Sequence, residues 1–424
     1  VLHLAQQYFQ KGDKKMALVL PFKAVRPVAK YASQVAALPY DVMTREEGQK
    51  AVAGRPLSFM RVEKSEIDVP DGTRPDDLRI YETAKRNFAK LREEGILKQD
   101  EFPCYYVYRQ QMGAQVQTGI VGVMSAAEYD EGKIKKHELT RQDKEEDRIR
   151  HVDTVNAQTG PVFISYMARP RINAIVEKIV AGLPEYDFTA EDGVIHTAWV
   201  VADAAELEEL RNEFARIDAL YIADGHHRAA AGATIARNRR KAGQAQESDR
   251  VMAVFFPHNQ LKVMDYNRAV KDLRGLTADQ FLEKISAKFT VTKNFTAKSP
   301  QHLHDFGMYL GGHWYCITIK DGAYDAKDPV ASLDAAILQD HLLAPVLGIA
   351  DPRTDGRIKF IGGIRGMAEL EKLVNQDGFA VAFSLYPTTM EQIMKVADAG
   401  AIMPPKSTWF EPKLRSGLFV HALS

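Results

Sequence analysis

The sequence predicts an α/β protein of mixed α+β character, built as two domains. Three observations carry this. The chain has 424 residues, 45% apolar and 26% charged, ordinary globular proportions with enough length for two cores. Strand, helix, strand and helix patterns alternate between residues 194 and 236, the order of a layered α/β chain. Within that region Ala219-Leu-Tyr-Ile-Ala-Asp-Gly-His-His-Arg228 reads as a buried strand, an Asp-Gly turn and a helix start, and an alanine-rich run to Arg237 continues the helix.

Charge and cysteine usage narrow the function classes. Lys plus Arg equals Asp plus Glu, 56 each, so the formal net charge is zero. That argues against bulk binding of nucleic acid or a membrane surface. No apolar run approaches the roughly 18 residues of a membrane span. The two cysteines, Cys104 and Cys316, match no metal or redox spacing. They fit core fillers in a reducing cytoplasm, the expected location. Oligomeric state has no signature in the sequence.

Taken in order, residues 1–15 read as an upstream segment, since Met16-Ala-Leu-Val-Leu-Pro-Phe22 resembles a natural start entering a strand. Residues 16–270 form the expected first domain. Prolines around Pro21-Phe22 and Pro39-Tyr40-Asp41-Val42 place these at sheet ends. Glu46 to Val52 predicts a short helix. Pro75 to Gly95 predicts a longer one, with Leu78, Tyr81, Ala84, Phe88 and Leu91 on one face. Tyr105–Arg109 and Gln115–Met124 predict paired strands around Gly113. Thr140 with Asp143 has the form of a capping box and predicts a helix start. Ile172–Leu183 and Ala204–Ile217 read as helices, Val194–Val201 as a strand, and Arg250–Phe256 with Gln260–Met264 as a hairpin. The expected second domain, 271–424, carries helices at 277–289, 333–347, 368–375 and 390–399. Strands are expected at 306–310, 313–320, 358–361, 380–385 and 418–423.

The chemistry concentrates at Asp224-Gly-His-His-Arg228. A strand, a tight glycine turn and a helix bring free N–H groups and the positive end of a helix dipole to one point. Gly225 and Arg228 are therefore candidate phosphate ligands, and Asp224, His226 and His227 candidate catalytic groups. A polar surface turn is the plain alternative. A metal site is a poorer one, because adjacent His226 and His227 cannot readily share one ion from a helix start. No metal-binding protein site is expected.

Two further stretches could wall this point. In Lys133 to His151, a stripe of Lys144, Asp147, Arg148 and His151 recurs at helical spacing. It is either a solvated face or part of a set, with Lys136, His137 and Glu138, turned onto a charged ligand. In the tail, Lys406, Ser407, Thr408, Lys413 and Arg415 stand around Trp409 and Phe410 on a proline-stiffened backbone, either as a closing loop or as anion donors. Arg268 joins these candidate ligands, and Asp41 joins Glu138 as a candidate base.

Together the motifs Pro39-Tyr40-Asp41-Val42, His137-Glu138-Leu139-Thr140, Ala223-Asp-Gly-His-His-Arg228 and Met403-Pro-Pro-Lys-Ser-Thr-Trp409 resemble an uncharacterised prokaryotic family, domain of unknown function 1015, whose members are often labelled ParB-like. The likeness runs from Pro21-Phe22 to the C-terminus and implies no established activity. More narrowly, Asp224-Gly-His-His-Arg228 is similar to the phosphate box of the ParB/sulfiredoxin superfamily, in the form carried by free-serine kinases. The cysteine of sulfiredoxins and the arginine-rich partition form are absent. This implies a ParB/sulfiredoxin-like first domain, a second α/β domain closing the site, and a small phosphorylated ligand. The expected function is phosphoryl transfer or phosphohydrolysis on a small hydroxylated metabolite such as serine or phosphoserine, a kinase or phosphatase activity, with ATP or ADP and Mg²⁺ as cofactors. The alternatives are a ParB-like DNA-binding partition protein and a nucleotide-regulated binding protein without catalysis. For the former, the closest helix-turn-helix mimic, Thr389 to Gly400, runs into Pro404-Pro405.

Overall fold

The computed structural model describes residues 18–244 and 247–424. The expected upstream segment, 1–15, lies outside the described residues. The fold is mixed α/β in two compact units. The first comprises the chain to Lys135, Thr140–Leu261 and Pro412–Ser424; the second comprises Lys136–Leu139 and Lys262–Glu411. The division thus falls nearer 261 than 270. The last residues return to the first unit because Val420–Ala422 completes a sheet there, between Ala24–Pro27 and Ala157–Gln158.

The first unit is organised by a nine-stranded sheet. Its hairpin Tyr105–Met112 and Gln115–Ser125 pairs as expected, with Gly113 in the left-handed region at φ 59°. Beside it lies Arg250–Pro257, antiparallel to Gln115–Ser125 and parallel to Val162–Tyr166. The expected hairpin of 250–256 with 260–264 does not form. Val251 to Pro257 is buried throughout, and such a run takes a partner on each side as a central strand. Val263–Met264 pairs instead with Trp409–Phe410 in the second unit.

Helices Pro170–Val180 and Ala204–Phe214 supply Ile172, Ile175, Leu210 and Phe214 to the core of this sheet. A second core gathers Val62, Ala84, Phe88 and Leu91 with Val155 and Val420. Helix Leu78–Glu93 buries Tyr81, Ala84, Phe88 and Leu91, but Leu78 is 71% exposed. It is the first residue after the Asp77 cap, where the stripe has yet to reach the core. Helix Gln142–Val155 begins without the expected capping box. Thr140 Oγ1 bonds Glu145 and Asp143 pairs with Arg141, so the reciprocal bonds of a capping box are not made.

The second unit has a six-stranded antiparallel sheet, in the order Phe289–Lys293, His313–Ile319, Asp305–Leu310, Val381–Leu385, Tyr266–Val270 and Ile358–Gly362. The turn between the second and third of these places Gly311 and Gly312 at positive φ, as a two-residue hairpin requires. The expected helix 333–347 is shorter: Asp334–Leu338 is α-helical and passes into a π-turn at Gln339–Leu343. No described helix is long and apolar enough to cross a membrane.

Candidate functional site

The central motif folds as its residues dictate. Leu220, Tyr221, Ile222 and Ala223 are buried in the strand Leu220–Asp224. Gly225 turns the chain at φ 86°, where a side chain would be strained, and helix His226–Lys241 follows. Ala229, Ala230, Ala231 and Ala233 are buried on it, so small residues let the helix lie close to its neighbours. Its N-terminus has no side-chain cap. The helices at Arg45–Ala51, Leu78–Glu93 and Ala204–Phe214 are capped by Thr44, Asp77 and Asp203.

On the half-exposed side of this turn, Asp224 pairs with Lys413 Nζ at 2.7 Å and accepts from the Gly225 N–H at 2.8 Å. Desolvation alone would raise its pKa, but the Lys413 ammonium and these hydrogen bonds hold it down at about 2. One amide expected to face a ligand, that of Gly225, is thus occupied by its neighbour's carboxylate. His227 Nε2 accepts from the Arg141 N–H at 3.0 Å, which places the ring proton on Nδ1 in the neutral form. Burial lowers the His227 pKa, and the Asp41 carboxylate acts against that shift. His226 is buried and Asp41 exposed.

The inner side of the motif is a charge cluster that joins three sequence motifs. Arg228 Nη2 donates to Glu63 Oε2 at 3.1 Å and to Ser416 Oγ at 3.4 Å. Arg148 Nη1 lies 4.0 Å from the same Glu63 oxygen, and its Nη2 bonds Asp147 at 2.7 Å. Both guanidiniums lie over the Tyr40 ring, at 3.9 Å for Arg148 and 5.5 Å for Arg228. Glu63 is fully enclosed. Desolvation would raise its pKa, yet Arg228, His151 and Arg148 hold it below the usual carboxylate range. Burial is also the main force on His151, pushed down to about 4, and on Tyr40, pushed up to about 12. Gly160 is required here, since a Cβ would stand 1.5 Å from Arg228 Nη1.

A cleft of about 350 Å³ opens beside this cluster, with Tyr40, Glu63, Lys144, Arg148, Arg150 and His151 among its lining. The stripe on helix Gln142–Val155 therefore divides: Arg148 and His151 are buried, and Lys144 is exposed. The structure thus brings Lys144 and Arg148 to one cleft and Arg228 next to Arg148. It turns Arg228 inward onto the Glu63 carboxylate. Glu63 and Tyr40 were missed as parts of this cluster, whereas Lys413 was among the cations marked in the tail. An acid that follows Phe59, Met60 and Val62 at helical spacing was the available signal for Glu63.

The other expected site residues belong to the second unit. Lys136 and Glu138 are exposed and His137 is buried. Arg268 is 3% exposed and donates to the carbonyls of Tyr266 and of Lys406, the latter at 3.1 Å. Ser407 is buried, and its hydroxyl is committed to the Pro404 carbonyl at 2.7 Å. Lys406 is exposed, with Nζ 5.6 Å from the Tyr266 ring centre; Thr408 is partly buried. Trp409 packs edge-on against Tyr266 at 5.2 Å.

Fold and site together define a two-unit α/β protein with an uncapped helix start beside a dense internal charge cluster. The chain belongs to the DUF1015 family, described as protein of unknown function, whose profile matches residues 19–336. None of the curated proteins matches it. Among solved structures it is similar to SbnI with a C-terminal truncation from Staphylococcus aureus, at 11% identity and TM-score 0.38, covering 72% of this chain and 87% of that one. It is also similar to a substituted free serine kinase in complex with ADP, at 16% identity and TM-score 0.35, covering 72% and 93%. A conserved hypothetical protein from Pyrococcus furiosus matches at 16% identity and TM-score 0.32, over 68% and 91%.

Proposed function

We propose that the first unit binds a phosphate group of a small phosphorylated ligand or nucleotide at the start of helix His226–Lys241, and uses it in phosphoryl transfer to or from a small hydroxylated metabolite. The observation that carries this is the uncapped N-terminus at Gly225. A helix of this length presents unsatisfied amides and a partial positive charge there, a ready anion site. Lys413 adds a cation, and a neutral His227 adds an Nδ1–H donor. Asp41, close enough to influence His227, is the candidate to orient an attacking hydroxyl or water. The resemblance of Asp224-Gly-His-His-Arg228 to a ParB/sulfiredoxin-type phosphate box agrees with this reading.

Asp224 does not fit as a protein ligand for Mg²⁺. Its oxygens already serve the Lys413 ammonium and the Gly225 amide, and a dication would have to displace a lysine. Mg²⁺ brought by a nucleotide would be held by its phosphates and water. The partition reading draws no support from helix Met390–Asp398: among the described residues no second helix follows it.

The test is incubation of the full chain with ATP or ADP, Mg²⁺ and a panel of hydroxylated amino acids and their phosphates, reading nucleotide conversion, phosphate release and phosphorylated product. Turnover of at least one pair is expected, with nucleotide affinity reduced about tenfold in His227→Gln, roughly the loss of one strong hydrogen bond to a charged group. Binding without turnover would leave the non-catalytic alternative. No binding of nucleotide or phosphate would end the proposal.

A further inference from the structure

We propose that the second unit contains a separate site for a small organic carboxylate, with the acid head on Arg268 and the apolar body against Phe360, Leu343 and Pro405. The proposal does not rest on the phosphate site of the first unit. Arg268 lines a pocket of about 410 Å³ whose walls also include Ala335, Ile358 and Pro404. Apolar side chains that enclose a ligand's body, with a few fixed polar groups that orient it, are the usual make-up of a small-molecule site.

The guanidinium is what needs a ligand. Arg268 stands on the strand Tyr266–Val270, which is hydrogen-bonded on both sides to Ile358–Gly362 and Val381–Leu385. Its protein acceptors are two neutral carbonyls, those of Tyr266 and Lys406. Among the described residues no carboxylate pairs with it, and its other contact is the face of the Phe360 ring, 5.3 Å from Cζ. Burial pushes its pKa down to about 10. A buried guanidinium without an anion is costly, and an incoming carboxylate supplies the missing charge. The planar fork suits two parallel N–H···O bonds.

The surroundings hold that fork in place. Lys406 adopts φ 58°, an uncommon conformation for a residue other than glycine, and its carbonyl accepts from Arg268. Ser407 Oγ to Pro404 O at 2.7 Å and Thr388 Oγ1 to Ser407 O at 2.8 Å fix the turn. The lining also includes Gln339 and Leu343 of the π-turn, an irregularity frequent at functional sites. Gln339 is tied to the Ile349 carbonyl at 2.7 Å. The remaining charged lining is Arg353 and Asp351, both exposed, with Asp351 Oδ1 accepting from the Arg353 N–H. Two arginines against one aspartate leave a net positive charge matched to a monoanion, which favours a carboxylate over a phosphate dianion.

Calorimetry on the full chain with benzoate, phenyl phosphate and benzamide tests this. Saturable benzoate binding is expected, at least tenfold tighter than benzamide and weakened at least tenfold in Arg268→Gln. Equal affinity for benzamide, tighter binding of phenyl phosphate, or no saturable benzoate binding would overturn the assignment. So would unchanged affinity in an Arg268→Gln variant whose circular dichroism matches the parent. Crystals of the parent soaked in 4-bromobenzoate remove dependence on the variant: a bromine anomalous peak in the Arg268 pocket supports the site, and a peak only elsewhere rejects it.

Discussion

Arg148 and Arg228 in the first unit and Arg268 in the second all point into protein and are opposite in company. The first two meet Glu63, and Arg148 also meets Asp147. Burial lowers the pKa of Arg148, and Asp147, Tyr40 and Glu63 more than restore it. Arg268 meets carbonyl oxygens and the Phe360 ring but, among the described residues, no carboxylate, and burial prevails. A guanidinium neutralised from within is part of the fold. One left without a carboxylate remains able to recognise a charge from outside. The proposed phosphate site of the first unit accordingly lies on the outer side of the turn, at the helix start and Lys413.

Removing the internal counter-charge should break the comparison most sharply. Glu63→Gln takes from Arg228 its carboxylate partner and leaves Arg148 with Asp147 alone, and should cost about 3–5 kcal/mol in denaturant unfolding, the usual range for breaking a buried ion pair by removing one partner. Arg268→Gln removes a cation that has no partner to orphan, and should cost well under half of that. Equal losses in the two variants would show that the carboxylate does not distinguish the regions.

This contrast shows what the sequence could and could not reveal. The strand, the Gly225 turn and the helix were legible because local rules decide them: an apolar run, a residue free to adopt positive φ, and alanine-rich helix composition. Arg228 was marked as a site residue from the same run. Its direction was not legible, because it depends on Glu63, 165 positions away, and on space left by Gly160. The stripe of helix Gln142–Val155 was equally ambiguous, since Arg148 and His151 are buried by Tyr40 and Val62, from distant segments. The hairpin expected at 250–264 failed for a related reason. Nothing local says that Arg250–Pro257 has partners on both edges.

His151 offers a second way to sharpen the picture, through pH. Its Nε2 bonds the Val62 carbonyl at 2.8 Å, and it stands among Arg148, Glu63 and Asp147. Burial, then Arg148, holds its folded pKa at about 4, below the ordinary value of 6.5. A depressed histidine binds its proton more readily unfolded, so its contribution is complete above pH 6.5. It is lost as pH falls towards about 4. The loss should reach about 3 kcal/mol across that window, at roughly 1.4 kcal/mol per pH unit. His151→Gln keeps a donor for the Val62 carbonyl and should remove this step from the stability–pH curve. Parallel curves for parent and variant would mean that the cluster tolerates a charged imidazole, and that its charges are less closed than the geometry indicates.

The smallest expected effect on stability is on the outer side, at Asp224→Asn. The pair with Lys413 is partly exposed, with the Asp224 side chain 43% accessible, so its loss at neutral pH should cost about 1 kcal/mol or less. The folded pKa of about 2 lies below the ordinary 3.8, so the contribution is present above about pH 4 and lost as pH falls towards 2. The variant should lack only that acid-side step. Its effect on binding should be the more informative one. Asparagine can still accept from the Gly225 amide, but it no longer draws the Lys413 ammonium or places a negative charge at the helix start. Affinity for inorganic phosphate, titrated by calorimetry, should therefore rise a few-fold, as expected where an anion competes with a fixed carboxylate for the same positive charge. A fall in affinity would mean that Asp224 takes part in holding the ligand, and would return the inner guanidiniums to consideration as the place where it is bound.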